Sequence, residues 1–350
     1  MSHQYQAVVW NRQKRIYDLT LLVGLLVFFG VWIGGHLAMR PNVTAEAMLI
    51  RGLAVAAFLL LHVILSIGPL CRLDTRFLPL LYNRRHLGVT MFLLAAAHGA
   101  FAIVQFHGFS DLNPLVSLLS TNSNLSDVAE FPFQPLGLFA LLILFLMAAT
   151  SHDFWLANLS APVWKALHMG VYVAYVLIVA HVALGVLQSE TDPALAAIVA
   201  LGMAWVLGLH AVSALHDARD ESRLTPDLSS DPDWVNAGPI RSMPDGRARM
   251  VVVAGERVAI FRNGESVTAV SAVCQHQNGP LGEGCVIDGL ITCPWHGYQY
   301  EPRNGRSPPP FTETIPTFDL KTDGENVFVR AVPNQPGTPT TPLSWSDAKL

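Results

Sequence analysis

Charge is the first thing this sequence lacks. Asp, Glu, Lys and Arg supply 14% of its 350 residues, against roughly 25% in an ordinary soluble domain. The shortage is confined to residues 1–216, whereas residues 217–350 have the polar content of a soluble chain. A net charge of -4 and the absence of any long basic tract argue against nucleic acid as a partner. Cysteine is scarce as well, with 4 in the chain. No Cys-x-x-Cys-His occurs, which argues against covalently attached c-type heme. No Gly-x-Gly-x-x-Gly occurs either, so the usual dinucleotide-binding fingerprint is missing.

What fills residues 1–216 is apolar sequence. Leu19–Met39, Gly52–Leu70, Leu87–Phe106, Phe133–Thr150, Val163–Leu187 and Ala194–Leu215 each approach or reach the roughly 20 residues needed to cross a bilayer. The first is too long and too far from the N-terminus for a cleaved signal, and is read as a retained span. Six spans are therefore expected, in a multi-pass membrane protein surrounded by lipid. Lys and Arg set its orientation. Arg12, Lys14 and Arg15 precede the first span, Arg72, Arg76, Arg84 and Arg85 separate the second and third, and Arg219 and Arg223 follow the sixth. The connection 107–132 has no Lys or Arg but carries Asp111, Asp127 and Glu130, and Glu190 and Asp192 lie between the last two spans. Both termini and everything after the sixth span are expected in the cytoplasm, of a bacterial inner membrane.

Residues 217–240 are polar and contain proline, as a linker does. From 241 to 332 the pattern is short and β-rich: strands at Met250–Ala254, Arg257–Arg262, Ser266–Val273 and Val327–Ala331, with turns at Asn263-Gly264, Asp288-Gly289 and Asp323-Gly324. Residues 333–350, rich in Pro and Thr, are expected to be disordered. The fold class is thus a six-helix membrane bundle followed by a small all-β domain.

The β-rich segment carries Cys274-Gln275-His276 and, further on, Cys293-Pro294-Trp295-His296. Two thiolates can hold one iron and two imidazoles the other iron of a [2Fe–2S] cluster. The alternative for two Cys and two His is zinc, but zinc motifs usually group Cys with Cys and His with His. Here each loop gives one of each. With Gly279, Leu281, Gly282, Gly297, Gly305 and Pro308–Pro310 around them, these residues resemble the Rieske family. The resemblance implies cluster ligation by Cys274, His276, Cys293 and His296. Positions that carry a disulfide in Rieske domains of cytochrome bc complexes correspond to Gly279 and Trp295. The Ser that donates to a bridging sulfide in those high-potential domains is Tyr298 here, while Tyr300 keeps a family Tyr able to donate to a Cys sulfur. The segment is therefore similar to the ferredoxins of ring-hydroxylating oxygenases.

Histidines inside apolar spans are costly and usually functional. His62, His98, His168, His181 and His210 all lie in or at spans. For His62 and His210, a plain hydrogen bond to a neighbouring helix weighs as much as a functional role. Arg84-Arg85-His86-Leu87-Gly88 with Phe92 and His98-Gly99, and Trp164 to His168 with Tyr172 and His181, resemble ferric reductase-like transmembrane domains. Among these they are most similar to the heme-binding membrane subunits of methionine sulfoxide reductase systems. The resemblance implies b-type heme, one or two, on axial histidines. His181 follows His168 by about 20 Å of helix rise, so one lies near each side of the membrane. His98 reaches the depth of His181, and these two are the expected axial pair of an outer heme. His168 is the expected ligand of an inner heme. The usual partner position aligns with Arg84, leaving His86, His62 and His210 as substitutes, and His86 could equally be a headgroup-level residue.

These features together imply electron relay between a cytoplasmic carrier or reductase, the cluster and membrane heme, toward quinone or an outer-side redox partner. A transmembrane reductase of a metal chelate or quinone, and a redox sensor or scaffold, are the alternatives.

Overall fold

The computed structural model describes residues 12–347 apart from 41, 82, 122–123, 125, 153–154, 156–158, 160, 190–192, 225–232, 277–278, 295–296 and 310. It divides into two compact units between Ser213 and Ala214.

The first unit is helical, and the last of its helices runs on past Ser213. Its principal helices are α1 (Arg12–Met39), α2 (Ala45–Leu73), α3 (Arg84–His107), α4 (Phe133–Ala149), α5 (Ala161–Leu184) and α6 (Pro193–Leu224). Among the described residues, five segments are long and apolar enough to cross a membrane: Lys14–Met39, Ala45–Leu73, Arg84–His107, Ala166–Gln188 and Pro193–His216. The sixth expected span is the 17-residue helix α4, whose rise of about 26 Å falls slightly short of a bilayer core. α2 packs along α3, and α4 along α5. The buried centre combines Phe58, Leu61 and Leu65 of α2 with Met91 of α3, Ala140 and Leu144 of α4, Ala174 and Tyr175 of α5, and Val199 and Val206 of α6.

α1 stands apart from this centre. None of its apolar window is buried, and Leu26 and Val31 are among its outward residues. Two of its contacts are polar and lie far apart along the helix. The Trp32 indole donates to the Met48 carbonyl over 3.0 Å and lies where a Cβ on Gly52 would come within 2.8 Å of it. Asp18 accepts from the Asn83 amide over 2.8 Å and bonds His86 Nδ1 over 2.9 Å. After α3, a short helix Pro114–Ser120 begins with Asn113 accepting from the Leu115 N–H, as an N-cap before a first-turn proline should. Ser117 of this helix bonds His107 Nδ1 at 2.9 Å.

The second unit is β-rich. Its strands are β1 (Trp234–Pro239), β2 (Ala248–Val253), β3 (Glu256–Asn263), β4 (Ser266–Ser271), β5 (Cys285–Ile287), β6 (Leu290–Thr292), β7 (Gln299–Tyr300), β8 (Thr317–Phe318), β9 (Leu320–Thr322), β10 (Asn326–Arg330) and β11 (Leu343–Ser344). They form three sheets, ordered β1-β10-β9, β11-β4-β3-β2 with β8 also on β4, and β5-β6-β7. One core, around Ile240, Val253, Val258, Ile260 and Val327, lies away from the cysteines. The other, around Ala259, Phe261, Leu281, Ile291, Tyr300 and Ile315, contains Cys274 and Cys293.

Three boundaries differ from the sequence reading. The stretch 217–240 is not linker throughout. Helix α6 runs to Leu224 and β1 starts at Trp234, pairing antiparallel with β10. The segment 333–350 is not disordered as expected: Leu343 and Ser344 pair with Val267 and Ser266. The Arg262 guanidinium sits 3.6 Å from the centre of the Trp345 ring, so apolar and aromatic contacts outweigh the Pro/Thr composition of the flanking chain. Residues 348–350 lie outside the described part. The turn expected at Asn263-Gly264 falls one residue later, because Asn263 pairs with Ser266 and Gly264 takes the positive φ of +58°. At Asp288-Gly289 both residues have positive φ, 51° and 78°, the pattern of a type I′ hairpin turn.

Candidate redox centres

In the β-rich unit, the strand–loop plan brings two chain segments together at one end of the second core. The first leaves β4 and carries Cys274 and His276. Its Cys274 N–H donates to the Gly279 carbonyl over 2.9 Å, and Val273 bridges Pro280. The second joins β6 to β7 and carries Cys293. Its Cys293 N–H donates to the Tyr298 carbonyl over 2.8 Å, and the Gly297 N–H to the Cys293 carbonyl over 3.0 Å. Both Cys274 and Cys293 are buried thiols, each 1% exposed. His276 is half-buried. His296 and Trp295 lie outside the described residues. Among the described residues no three His, Cys, Asp or Glu side chains are gathered as a mononuclear site would gather them. A two-iron cluster instead divides its Cys pair and its His pair between separate irons.

Two tyrosines shape this end. The Tyr300 hydroxyl lies 3.4 Å from Cys274 Sγ and accepts the Gln275 N–H over 3.0 Å. Burial first, and then the Cys274 thiolate, push its phenol above the ordinary value. It therefore keeps its proton and can donate to sulfur, the role expected for it. Tyr298 behaves differently. Its ring is stacked on His276, centroids 4.6 Å apart and planes within 7°, and its hydroxyl donates to the Glu313 carboxylate. Burial, then Glu313, raise its phenol too.

In the helical unit the candidate histidines sort by what holds Nδ1. For His98 it is the Ile50 carbonyl of α2, 3.1 Å away, and for His181 the Phe133 carbonyl of α4, 2.9 Å away. Both tethers cross to another helix, and the two rings lie edge to face with centroids 6.5 Å apart and planes at 74°. Gly137 of α4 makes room, since a Cβ there would stand 2.8 Å from His181 Nδ1.

The other histidines are tied differently. His168 Nδ1 bonds the Trp164 carbonyl of its own helix at 3.0 Å, and its ring stacks on Trp164 at 3.8 Å. Its buried Nε2 finds no hydrogen-bond partner among the described residues. His62 has both nitrogens engaged, Nδ1 by the Phe58 carbonyl at 2.8 Å and Nε2 by the Tyr175 hydroxyl at 3.0 Å. That arrangement is the inter-helix hydrogen bond weighed beside a ligand role for His62. His210 is similar, between the Val206 carbonyl and the Tyr172 hydroxyl. His86 bonds Asp18.

Some parts of these centres were not expected from sequence. Tyr175 gave no signal, because a tyrosine in an apolar helix reads as core. The same holds for Glu313, which lies far along the chain from Tyr298. Gly137 could have been flagged, since a glycine within an apolar helix often marks a close approach.

Residues 51–179 match the family model of the ferric reductase like transmembrane component, and residues 233–319 that of the Rieske [2Fe-2S] domain. The chain is 26% identical over 97 residues to the ferredoxin component of the naphthalene 1,2-dioxygenase system of Pseudomonas aeruginosa, covering 27% of this chain and 93% of that protein. It is 28% identical over 93 residues to apoptosis-inducing factor 3 of Homo sapiens, covering 26% of this chain and 15% of that protein. Among solved structures, the ferredoxin of carbazole 1,9a-dioxygenase from Nocardioides aromaticivorans IC177 aligns at 25% identity with a TM-score of 0.27, covering 29% of this chain and 99% of that one. The chain thus spans nearly all of the small ferredoxins and a small part of the longer relative. It is a membrane redox protein in which a ferric reductase-like transmembrane component is followed by a Rieske [2Fe–2S] domain.

Proposed function

We propose that the protein relays electrons between a cytoplasmic carrier or reductase, a cluster held by Cys274, His276, Cys293 and His296, and b-type heme held between His98 and His181, toward quinone or an outer-side acceptor. The cluster and heme supply reversible one-electron chemistry. The protein supplies ligands, their orientation and a dry surrounding.

The observation that carries the heme assignment is the pair His98 and His181. The two rings lie with centroids 6.5 Å apart, so both imidazoles could serve as ligands of one heme iron. Each Nδ1 is held by a backbone carbonyl, which fixes the tautomer and leaves the Nε2 lone pair for iron. The unpartnered Nε2 of His168 supports a second ligand position on α5. His86 is retained as a candidate there, because a carboxylate on the far nitrogen is a common support for a metal-bound imidazole. The charge pattern of the loops favours both termini and the Rieske domain in the cytoplasm.

Iron, acid-labile sulfide and pyridine hemochrome analysis of purified protein is the primary test. Two acid-labile sulfides with at least one b heme per chain are expected, with an electron paramagnetic resonance signal from the reduced cluster. The midpoint should lie in the lower part of the Rieske range of roughly −150 to +300 mV, since Tyr298 replaces a sulfide-directed Ser. Stoichiometric zinc without sulfide would overturn the cluster, and absence of heme would overturn the relay. Heme reduction by a reduced ferredoxin separates relay from sensor.

A further inference from the structure

We infer that Tyr298 is a positioning residue for the cluster: its ring braces the His276 imidazole across the two loops, while Glu313 holds its hydroxyl away from the sulfides. The inference rests on the Rieske reading above.

Four observations converge on it. Tyr298 belongs to the second loop, where its carbonyl receives the Cys293 N–H. Its ring lies flat on His276 of the first loop, at 4.6 Å and 7°, so one side chain couples the backbone of one ligand to the ring plane of another. The ring is itself fixed, 7% exposed, with Phe311 at 4.9 Å and Tyr300 at 5.4 Å on tilted planes. Finally, the hydroxyl is committed. It donates to Glu313 Oε2, and that oxygen also receives the Thr312 N–H over 3.1 Å. The Glu313 carbonyl accepts from the Ser307 N–H over 3.0 Å, so the acceptor is anchored at both ends.

A hydroxyl has one proton. Given to a carboxylate, it makes a charge-assisted bond stronger than a neutral alternative, and it is not offered to a sulfide. The ring meanwhile restricts the imidazole to one plane, as an offset aromatic stack does. Tyr298 thereby differs from a serine at the same position in both respects. It lends no proton to the cluster and it adds a wall against one ligand.

The inference separates ring from hydroxyl, and full-length protein can be tested that way. Tyr298→Phe should keep iron, sulfide, g values and midpoint. Tyr298→Leu should broaden the g-value distribution, alter the histidine nitrogen couplings in pulsed electron paramagnetic resonance, and shift the midpoint. Glu313→Ala should raise the midpoint both by removing a negative charge and by releasing the hydroxyl, and adding Tyr298→Phe should cancel the second part. A midpoint that moves as far in Tyr298→Phe as in Tyr298→Leu would overturn the inference, and so would an unchanged histidine signature in Tyr298→Leu or a double variant whose midpoint equals that of Glu313→Ala alone. Should Tyr298→Leu fail to assemble a cluster, Tyr298→Phe and the Glu313 pair still decide. Loss of sulfide from the wild type itself would instead sink the Rieske reading.

Discussion

The two units hold their candidate ligands by opposite means. In the β-rich unit, Cys274 and Cys293 sit on loops whose own backbone bonds, donated to the Gly279 and Tyr298 carbonyls, close within a few residues. In the helical unit, His98 and His181 depend on carbonyls contributed by other helices, Ile50 and Phe133. A loop motif carries its geometry with it, whereas a helical pair has geometry only once the bundle is packed. The β-rich ligands should therefore tolerate change in the bundle, and the histidine pair should respond to substitutions that never touch a ligand.

The sharpest way to break this contrast is to remove a ligand from each side. Cys274→Ala should abolish the Rieske signal and leave the heme spectrum intact. His98→Ala and His181→Ala should each convert heme to high spin or lose it, while the Rieske signal persists. The two should fall together, as residues acting as a unit do. A full complement of low-spin heme in both variants would refute the pairing.

Next in size is Gly137→Val. Its Cβ would stand 2.8 Å from His181 Nδ1, so heme occupancy measured by hemochrome should drop partially although no ligand has changed. Retained full occupancy would show that α4 can move aside. Tyr175→Phe leaves His62 Nε2 buried without its partner. It should lower the thermal stability of the helical unit by about 1 kcal/mol, without altering heme content. A loss of heme there would return His62 to the ligand set. The smallest effect is expected for Trp345→Ala, which removes the ring under Arg262. About 0.5–1 kcal/mol should be lost, visible as faster hydrogen exchange along β4 and nowhere in the helices.

The same contrast decides what could be read from sequence. The mixed Cys-x-His and Cys-x-x-His pairs were legible because their spacing is itself the loop. Six apolar runs were legible because a bilayer-length helix needs only composition. His98 and His181 were reachable only through resemblance, since no periodicity links residues on separate helices. The partner of His62 and the roles of Tyr175 and Glu313 were illegible, because each is defined by a residue distant in the chain. β1 was missed for another reason: Asn236, Gly238 and Pro239 read as linker, and pairing with β10 overrides that local signal.

The outward-facing surface of α1 has a consequence for biogenesis. Within a bilayer, apolar side chains gain little by exchanging lipid for protein, so packing and hydrogen bonds must hold a span in place. α1 has its Trp32 contact at α2 and its Asp18 contacts at the start of α3, with an unburied apolar stripe between. α1 leaves the ribosome before α2 and α3, yet it cannot dock until both have followed. The Trp32 and Asp18 contacts have no receiver until α2 and α3 have been inserted.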